Sequence, residues 1–421
     1  MIKDNAMQRR FGLAFLAIGL LLTFSLTVMI PVTLAIGEVT PTPASNEPIV
    51  PAATMTPLPR PSATPAPTNV PNTNPPLGGD VEALLDRALE ELQAGQFEDA
   101  IETLSEVIAI DPENATAYTV RGAAYAAQNN YQRAIDDFTR ALAVVPYDWA
   151  VYVFRADTYA NMGEPGEAMF DYDKALELNP RYIAAYQSRA AVNQSLGQAD
   201  EAELDTLMVQ GISQSNRGAY RDAVNTFSDV IALDGGENRI SAYAYYNQGL
   251  TFFSLEDYES AIEDFTMALE IYPNMHDSYL GRGIAHRIEG DVQRAGGDFL
   301  RRIEILESNT FEDNLTIGDA IEVEMAYGNV YRLTFAGNPG DILNIEARMT
   351  NPEIFVDPLI TVLDPSGRPI AGDDDFGGNL DSLIEALELT ESGTYTLIVS
   401  HANGGFDGTV RVLVSETNPG A

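Results

Sequence analysis

Residues 115–148 read ATAYTVRGAAYAAQNNYQRAIDDFTRALAVVPYD, and this stretch decides the fold. Tyr118, Arg121, Gly122 and Tyr125 stand at helical spacing, and so do Tyr131, Ala134, Ile135, Phe138, Ala141 and Leu142. Pro146 closes the second run, because proline disfavours helix in the residue before it. The pattern is a pair of short amphipathic helices joined by a turn. The same frame returns about 34 residues later with Tyr152, Ala156, Tyr159, Gly163, Ala168, Tyr172, Ala175 and Pro180. It returns again with Tyr245, Gly249, Phe252, Tyr258, Ala261, Phe265, Ala268 and Pro273. A period in this range marks a solenoid whose units cannot bury a core alone. Such arrays offer long surfaces to partners rather than water-excluding catalytic pockets.

Complete units begin near Val81, Ala115, Trp149, Leu204, Ala242 and His276, filling residues 80–307. Gly122, Ala156, Ala190, Gly211, Gly249 and Gly283 recur where a small side chain lets two helices approach. Ala100, Ala134, Ala168, Ala223, Ala261 and Ala295 do the same on the second helix. These residues resemble the tetratricopeptide repeat family. The resemblance implies antiparallel helix pairs stacked into a right-handed superhelix, with positions 2, 5, 9 and 12 of each first helix lining a concave groove. One departure stands out. The unit starting at Ile183 has a good first helix, yet the next begins at Leu204, well short of a full period. About one helix is missing from that frame. We expect a break or hinge near 197–204, with one longer helix over 200–216 that caps one array and opens the next.

On that frame the groove is mixed and small in the first half, through Thr119, Ala123, Val153, Asp157, Gln187 and Ala191. It turns apolar beyond the break, through Met208, Ile212, Tyr243, Tyr246, Leu250, Phe253, Leu280 and Ile284. An apolar stripe facing solvent suits an extended or helical segment with apolar anchors from a protein or peptide partner. The alternative is intramolecular, with the chain's own elements filling the groove. Arg121, Arg155, Arg189 and Arg282 share position 7, where structural ion pairs are expected ahead of ligand binding. The family's carboxylate clamp relies on groove lysine and asparagine that this chain lacks, so that activity is not carried over.

Ahead of the repeats, residues 11–36 form one uninterrupted apolar run without charge, preceded by Lys3, Arg9 and Arg10. That length suits a membrane span, and the basic flank places the amino terminus inside. Residues 1–37 thus read as a single-pass anchor with the bulk of the chain extracytoplasmic. The alternative is a secreted protein cleaved near 35–37. Residues 38–79 hold half of the chain's 24 prolines and read as a disordered Pro/Thr-rich linker. The net charge is −38; residues 80–307 contribute −24, from 16 basic and 40 acidic residues. Nucleic acid and anionic lipid are both held by clustered Lys and Arg, so this field excludes nucleic-acid partners. With no cysteine and three histidines, thiolate chemistry is impossible and no catalytic or metal constellation is legible. The expectation is a protein without catalysis or cofactor.

From residue 308 the pattern changes to short runs at 320–325, 330–335, 342–347, 359–363, 382–387, 394–399 and 409–414, divided by Gly, Pro and Asp turns. Seven such runs read as an antiparallel β-sandwich over 308–421. Tyr331, Leu333, Phe335, Gly340, Asp341, Asp357, Pro358, Leu363, Asp364, Pro365, Gly367, the run Asp373-Asp374-Asp375 and the run Gly393-Thr394-Tyr395-Thr396 resemble the bacterial pre-peptidase C-terminal domain family. That resemblance implies an accessory, non-catalytic sandwich. Asp373, Asp374, Asp375 and Asp381 are candidate calcium ligands, with a solvated acidic turn as the plainer reading. The chain as a whole reads as multidomain: an all-α tetratricopeptide solenoid followed by an all-β antiparallel sandwich. Its expected role is an extracytoplasmic scaffold or adaptor. The alternative is attachment to a surface polysaccharide or other ligand through the sandwich, calcium-assisted.

Overall fold

The computed structural model describes residues 81–326, 328–351, 356–374, 381–402 and 408–417. The anchor and linker readings at 1–79 lie outside the described residues. Among those described, no helix is long and apolar enough to cross a membrane. The repeats form thirteen helices among the described residues: α1 (Val81–Gln93), α2 (Phe97–Ile110), α3 (Ala115–Ala127), α4 (Tyr131–Val144), α5 (Trp149–Met162), α6 (Pro165–Leu178), α7 (Ile183–Ser195), α8 (Ala199–Asn216), α9 (Tyr220–Asp234), α10 (Arg239–Ser254), α11 (Tyr258–Ile271), α12 (His276–Ile288) and α13 (Val292–Leu306).

Local chemistry sets each pair. Position 15, between the two helices, takes a left-handed backbone in every unit: Gly95, Asn129, Gly163, Gly197, Gly218, Glu256 and Gly290. Glycine dominates there because a Cβ is disfavoured at positive φ. Asp111, Val145, Asn179 and Tyr272 end second helices with extended backbone just before proline. Between the helices, Gly122, Gly211, Gly249 and Gly283 lie flat against Phe138, Phe227, Phe265 and Phe299. A Cβ on Gly283 would stand 2.5 Å from the Phe299 ring, so the small residue is required.

The short unit at Ile183 lacks no helix. α8 begins at Ala199, in register as that unit's second helix, and its Asp205 pairs with Arg189. The same α8 presents Gly211 to Phe227 on α9, the contact a first helix makes. One helix of 18 residues therefore serves two overlapping frames. A contiguous core from Val153 to Met275 runs across this point, so the expected hinge is a packed joint. Asn247 on α10 donates its side-chain N–H to the Pro180 carbonyl at 3.1 Å, tying the two arrays across 67 residues.

The carboxy-terminal region holds nine strands among the described residues: β1 (Asn309–Asn314), β2 (Ala320–Met325), β3 (Asn329–Gly337), β4 (Ile342–Met349), β5 (Pro358–Leu363), β6 (Pro369–Asp373), β7 (Ser382–Glu388), β8 (Gly393–His401) and β9 (Gly408–Glu416). One sheet runs β1-β3-β8-β5-β6 and the other β2-β9-β4-β7. Every pairing is antiparallel except β1 with β3. Leu333, Phe335, Ile360, Val362, Leu397 and Val399 of the first sheet meet Val323, Leu343, Ile345, Val410, Val412 and Val414 of the second. Sequence alternation misses β1, which is exposed throughout and carries a single apolar residue, Phe311, and β6, a five-residue strand opening on proline.

The sandwich is not a tethered appendage. Val330, Leu359, Leu363, Ile398 and Ala402 share a second apolar cluster with Leu280, Ala295, Phe299 and Ile303 of α12 and α13. β5 is buried on both faces for this reason. A Cβ on Gly372 would lie 2.9 Å from the Cα of Gly296, so β6 and α13 touch backbone to backbone. Arg302, 2 % exposed, donates to the carbonyl of His401 at 2.9 Å and to that of Ala402.

Candidate interaction surface

A repeated polar rung fixes the stack. Arg121, Arg155 and Arg282 each clasp an aspartate 16 residues on with two N–H groups, at 2.7–2.9 Å: Asp137, Asp171 and Asp298. Arg189 clasps Asp205 in the same way. The third guanidinium nitrogen reaches back to the preceding unit, onto Ser105, Thr139, Asp173 and Thr266. Tyr118, Tyr152, Tyr186 and Tyr279 lie beneath the four guanidinium groups at 5.6–5.7 Å. These arginines are structural, as their place beside the buried seam led us to expect.

Three units lack the rung: two have Thr103 and Thr226 in place of the aspartate, and the third keeps the aspartate alone. Gln248 stands where the arginine would be, and its amide donates to Val224 O and to Ser228 Oγ on α9. It keeps the bond to the preceding unit and leaves Asp264 without a cation. Burial pushes the Asp264 carboxyl up to about 7, and the neighbouring Glu263 pushes it the same way. Asp157 is raised to about 6 by burial, against hydrogen bonds from Tyr172 and Ser188.

The apolar stripe expected to face solvent is instead largely interior. Met208, Ile212 and Tyr243 are at most 1 % exposed, and Tyr246 and Leu280 are also buried. Leu250, Phe253 and Ile284 are half-buried. Met208, Ile212, Tyr243 and Tyr246 belong to the core that joins the two arrays, with Leu250 and Phe253 packed against it. Leu280 and Ile284 belong to the cluster under the sandwich. The physical reason is the shared helix: it brings α10 against the end of α6, and the chain fills its own groove.

What stays open is the face of α7 and α8. Gln187, Ala190, Ala191 and Gln194 on α7, with Ala199, Ala202, Glu203 and Thr206 on α8, line a cleft of about 400 Å³. Position 24, on the second helix, is Leu104, Phe138, Tyr172, Phe227, Phe265 or Phe299 in the other units, all buried. In this unit it is Thr206, and it is exposed. Gln187 and Ala191 were legible as groove residues; Gln194, Ala202, Glu203 and Thr206 were not. The signal was present as the single loss of a large apolar residue at position 24.

Two of the candidate calcium ligands have protein partners. Asp373 accepts the Leu383 N–H at 2.8 Å and stands 3.4 Å from the Arg287 guanidinium. Asp381 accepts the Met349 N–H at 3.0 Å. Asp374 is buried, and Asp375 lies outside the described residues. Among the described residues no group of three or more His, Asp or Glu is arranged to hold a metal.

Comparison with known proteins places tetratricopeptide repeats in this chain. Models described as tetratricopeptide repeat match residues 85–148, 149–182 and 242–275. The second and third matches begin at Trp149 and Ala242, two of the unit starts read from the sequence. Among solved structures, a tetratricopeptide repeat protein from Parabacteroides merdae is 22% identical, with 54% of this chain and 94% of that one covered and a TM-score of 0.29. YrrB, described as a repeat protein with an unusual peptide-binding site, is 22% identical over 50% of this chain and 92% of its own, with a TM-score of 0.26.

Proposed function

We propose that this protein is a non-catalytic, extracytoplasmic scaffold whose solenoid recruits another protein. The reading is carried by one observation: a helical-repeat array, braced by arginine–aspartate rungs, leaves one unit's stacking face open to solvent. Tetratricopeptide arrays are built for such surfaces. The apolar run at 11–36 anchors the chain, the proline-rich segment spaces it from the membrane, and the acidic body stands outside. The sandwich is an accessory domain similar to the pre-peptidase C-terminal family. Its contribution is to cover the last helix pair.

Photo-crosslinking in the native cells tests the reading. A photoreactive residue at Gln128, Gln194 or Glu256 on the solenoid should trap a discrete protein, and one at Glu346 on the sandwich should not. No adduct from any solenoid position removes the scaffold reading.

A further inference from the structure

Each helix pair in this array carries position 24 on its second helix, and in the other pairs that residue is buried. Phe138 is covered by Phe154 of the next unit, with ring centroids 6.1 Å apart. Phe265 is covered by Gly281, where a Cβ would stand 2.6 Å from the ring. Phe299 has no following unit and is covered by Gly372 of the sandwich, where a Cβ would stand 2.7 Å away. Only the α7–α8 pair has an exposed residue here, because the next unit reuses α8 and brings no fresh helix to lie across it. The residue is Thr206, smaller than any of the others. Thr206 leaves unfilled the space that a phenylalanine, tyrosine or leucine occupies in the other pairs, and it lines an open cleft there.

We propose that the α7–α8 face receives a basic amphipathic helix of a partner protein, which seats one bulky apolar side chain beside Thr206. This deepens the scaffold reading and rests on it. The cleft is lined by Ala190, Ala191, Ala199 and Ala202, side chains that let a helix approach closely, together with the polar Gln187 and Gln194. Charge chooses the occupant. Glu203 lines the cleft, Asp200 and Glu201 are exposed in the first turn of the same helix, and no lysine or arginine occurs between Arg189 and Arg217. Arg189 itself is engaged by Asp205 and Asp173. A second copy of this chain would bring the same acidic residues to the same face, and its net charge of −38 opposes self-association. A lysine-bearing helix meets both the shape and the field.

The test titrates the full chain with synthetic 16-residue alanine–lysine helices labelled for fluorescence anisotropy. One carries a central tryptophan, one alanine in its place, and one tryptophan with the lysines changed to glutamate. The tryptophan–lysine peptide should bind saturably, and each of the other two about tenfold more weakly or not at all. Thr206→Phe fills the cleft and should weaken binding about tenfold with the helical circular dichroism retained. Glu203→Lys, at an exposed position that leaves packing alone, should weaken it about threefold and lessen its salt dependence. Equal binding by wild type and both variants, or no binding to the wild type, overturns the proposal. So does a wild-type dimer in sedimentation equilibrium that Thr206→Phe abolishes, since the occupant is then a second copy. Crosslinks from Gln128 or Glu256 alone would leave the scaffold role standing and remove this site.

Discussion

Two helix pairs in this molecule have no fresh helix pair laid over position 24, and they differ in what lies there. At α12–α13 the terminal position 24 is Phe299, wholly buried, and a β-sheet presses a glycine onto it. At α7–α8 the equivalent residue is Thr206, exposed, with alanines and glutamines around it. Burial sets the side chain, since a large apolar group is kept where a cover removes it from water. The array therefore has one position-24 face sealed within the molecule and one open to solvent.

The sharpest way to break that contrast is to truncate both residues. Phe299→Ala should cost about 3–5 kcal/mol in urea unfolding, while Thr206→Ala should stay within about 0.5 kcal/mol. Similar costs for the two would mean that the α7–α8 face is covered in solution. The sealed end can also be attacked from the other side. Gly372→Val drives a side chain into the Gly296 backbone and should cost about 1–3 kcal/mol. Limited proteolysis near residue 308 should then become faster, because the sandwich is no longer held against α13.

A smaller effect tests the incomplete rung at Gln248 and Asp264, which lies between these two pairs. Asp264 holds its proton up to about pH 7 in the folded protein, against 3.8 ordinarily. Between those values the native state binds a proton that the unfolded chain releases. Its contribution is therefore full below about pH 4 and is lost as pH rises towards 7, by about 1–2 kcal/mol at this partly exposed site. Asp157 titrates in part of the same window, so the difference between variants is the measure. Gln248→Arg supplies the missing cation and should remove most of that loss in urea unfolding at pH 5 and pH 8. An unchanged pH dependence would show that Asp264 is hydrated.

The helical architecture was legible because its signals are local. Glycine and alanine at fixed offsets, aromatics at helical spacing and proline after four of the second helices all report a pair's own geometry. The sandwich core was legible for the same reason, through alternating runs such as Leu343, Ile345 and Ala347. β1 escaped because its residues show no alternation; its place comes from pairing beside β3. The candidate surface was misplaced because burial there is long-range. Nothing near Tyr243 or Met208 in sequence announces that α10 packs against the end of α6. The open face was marked more quietly, by a threonine where its counterparts are large and apolar.

The shared helix limits how this array can change length. Repeat arrays grow and shrink by whole units, because a unit removed leaves its neighbours' contacts able to rejoin. Residues 204–216 belong to two units at once. Asp205 holds the rung behind them and Gly211 admits the phenylalanine ahead. Excising either unit removes half of the other, so duplication or loss is confined to the segments on either side. This stretch is a splice that the rest of the array must be edited around.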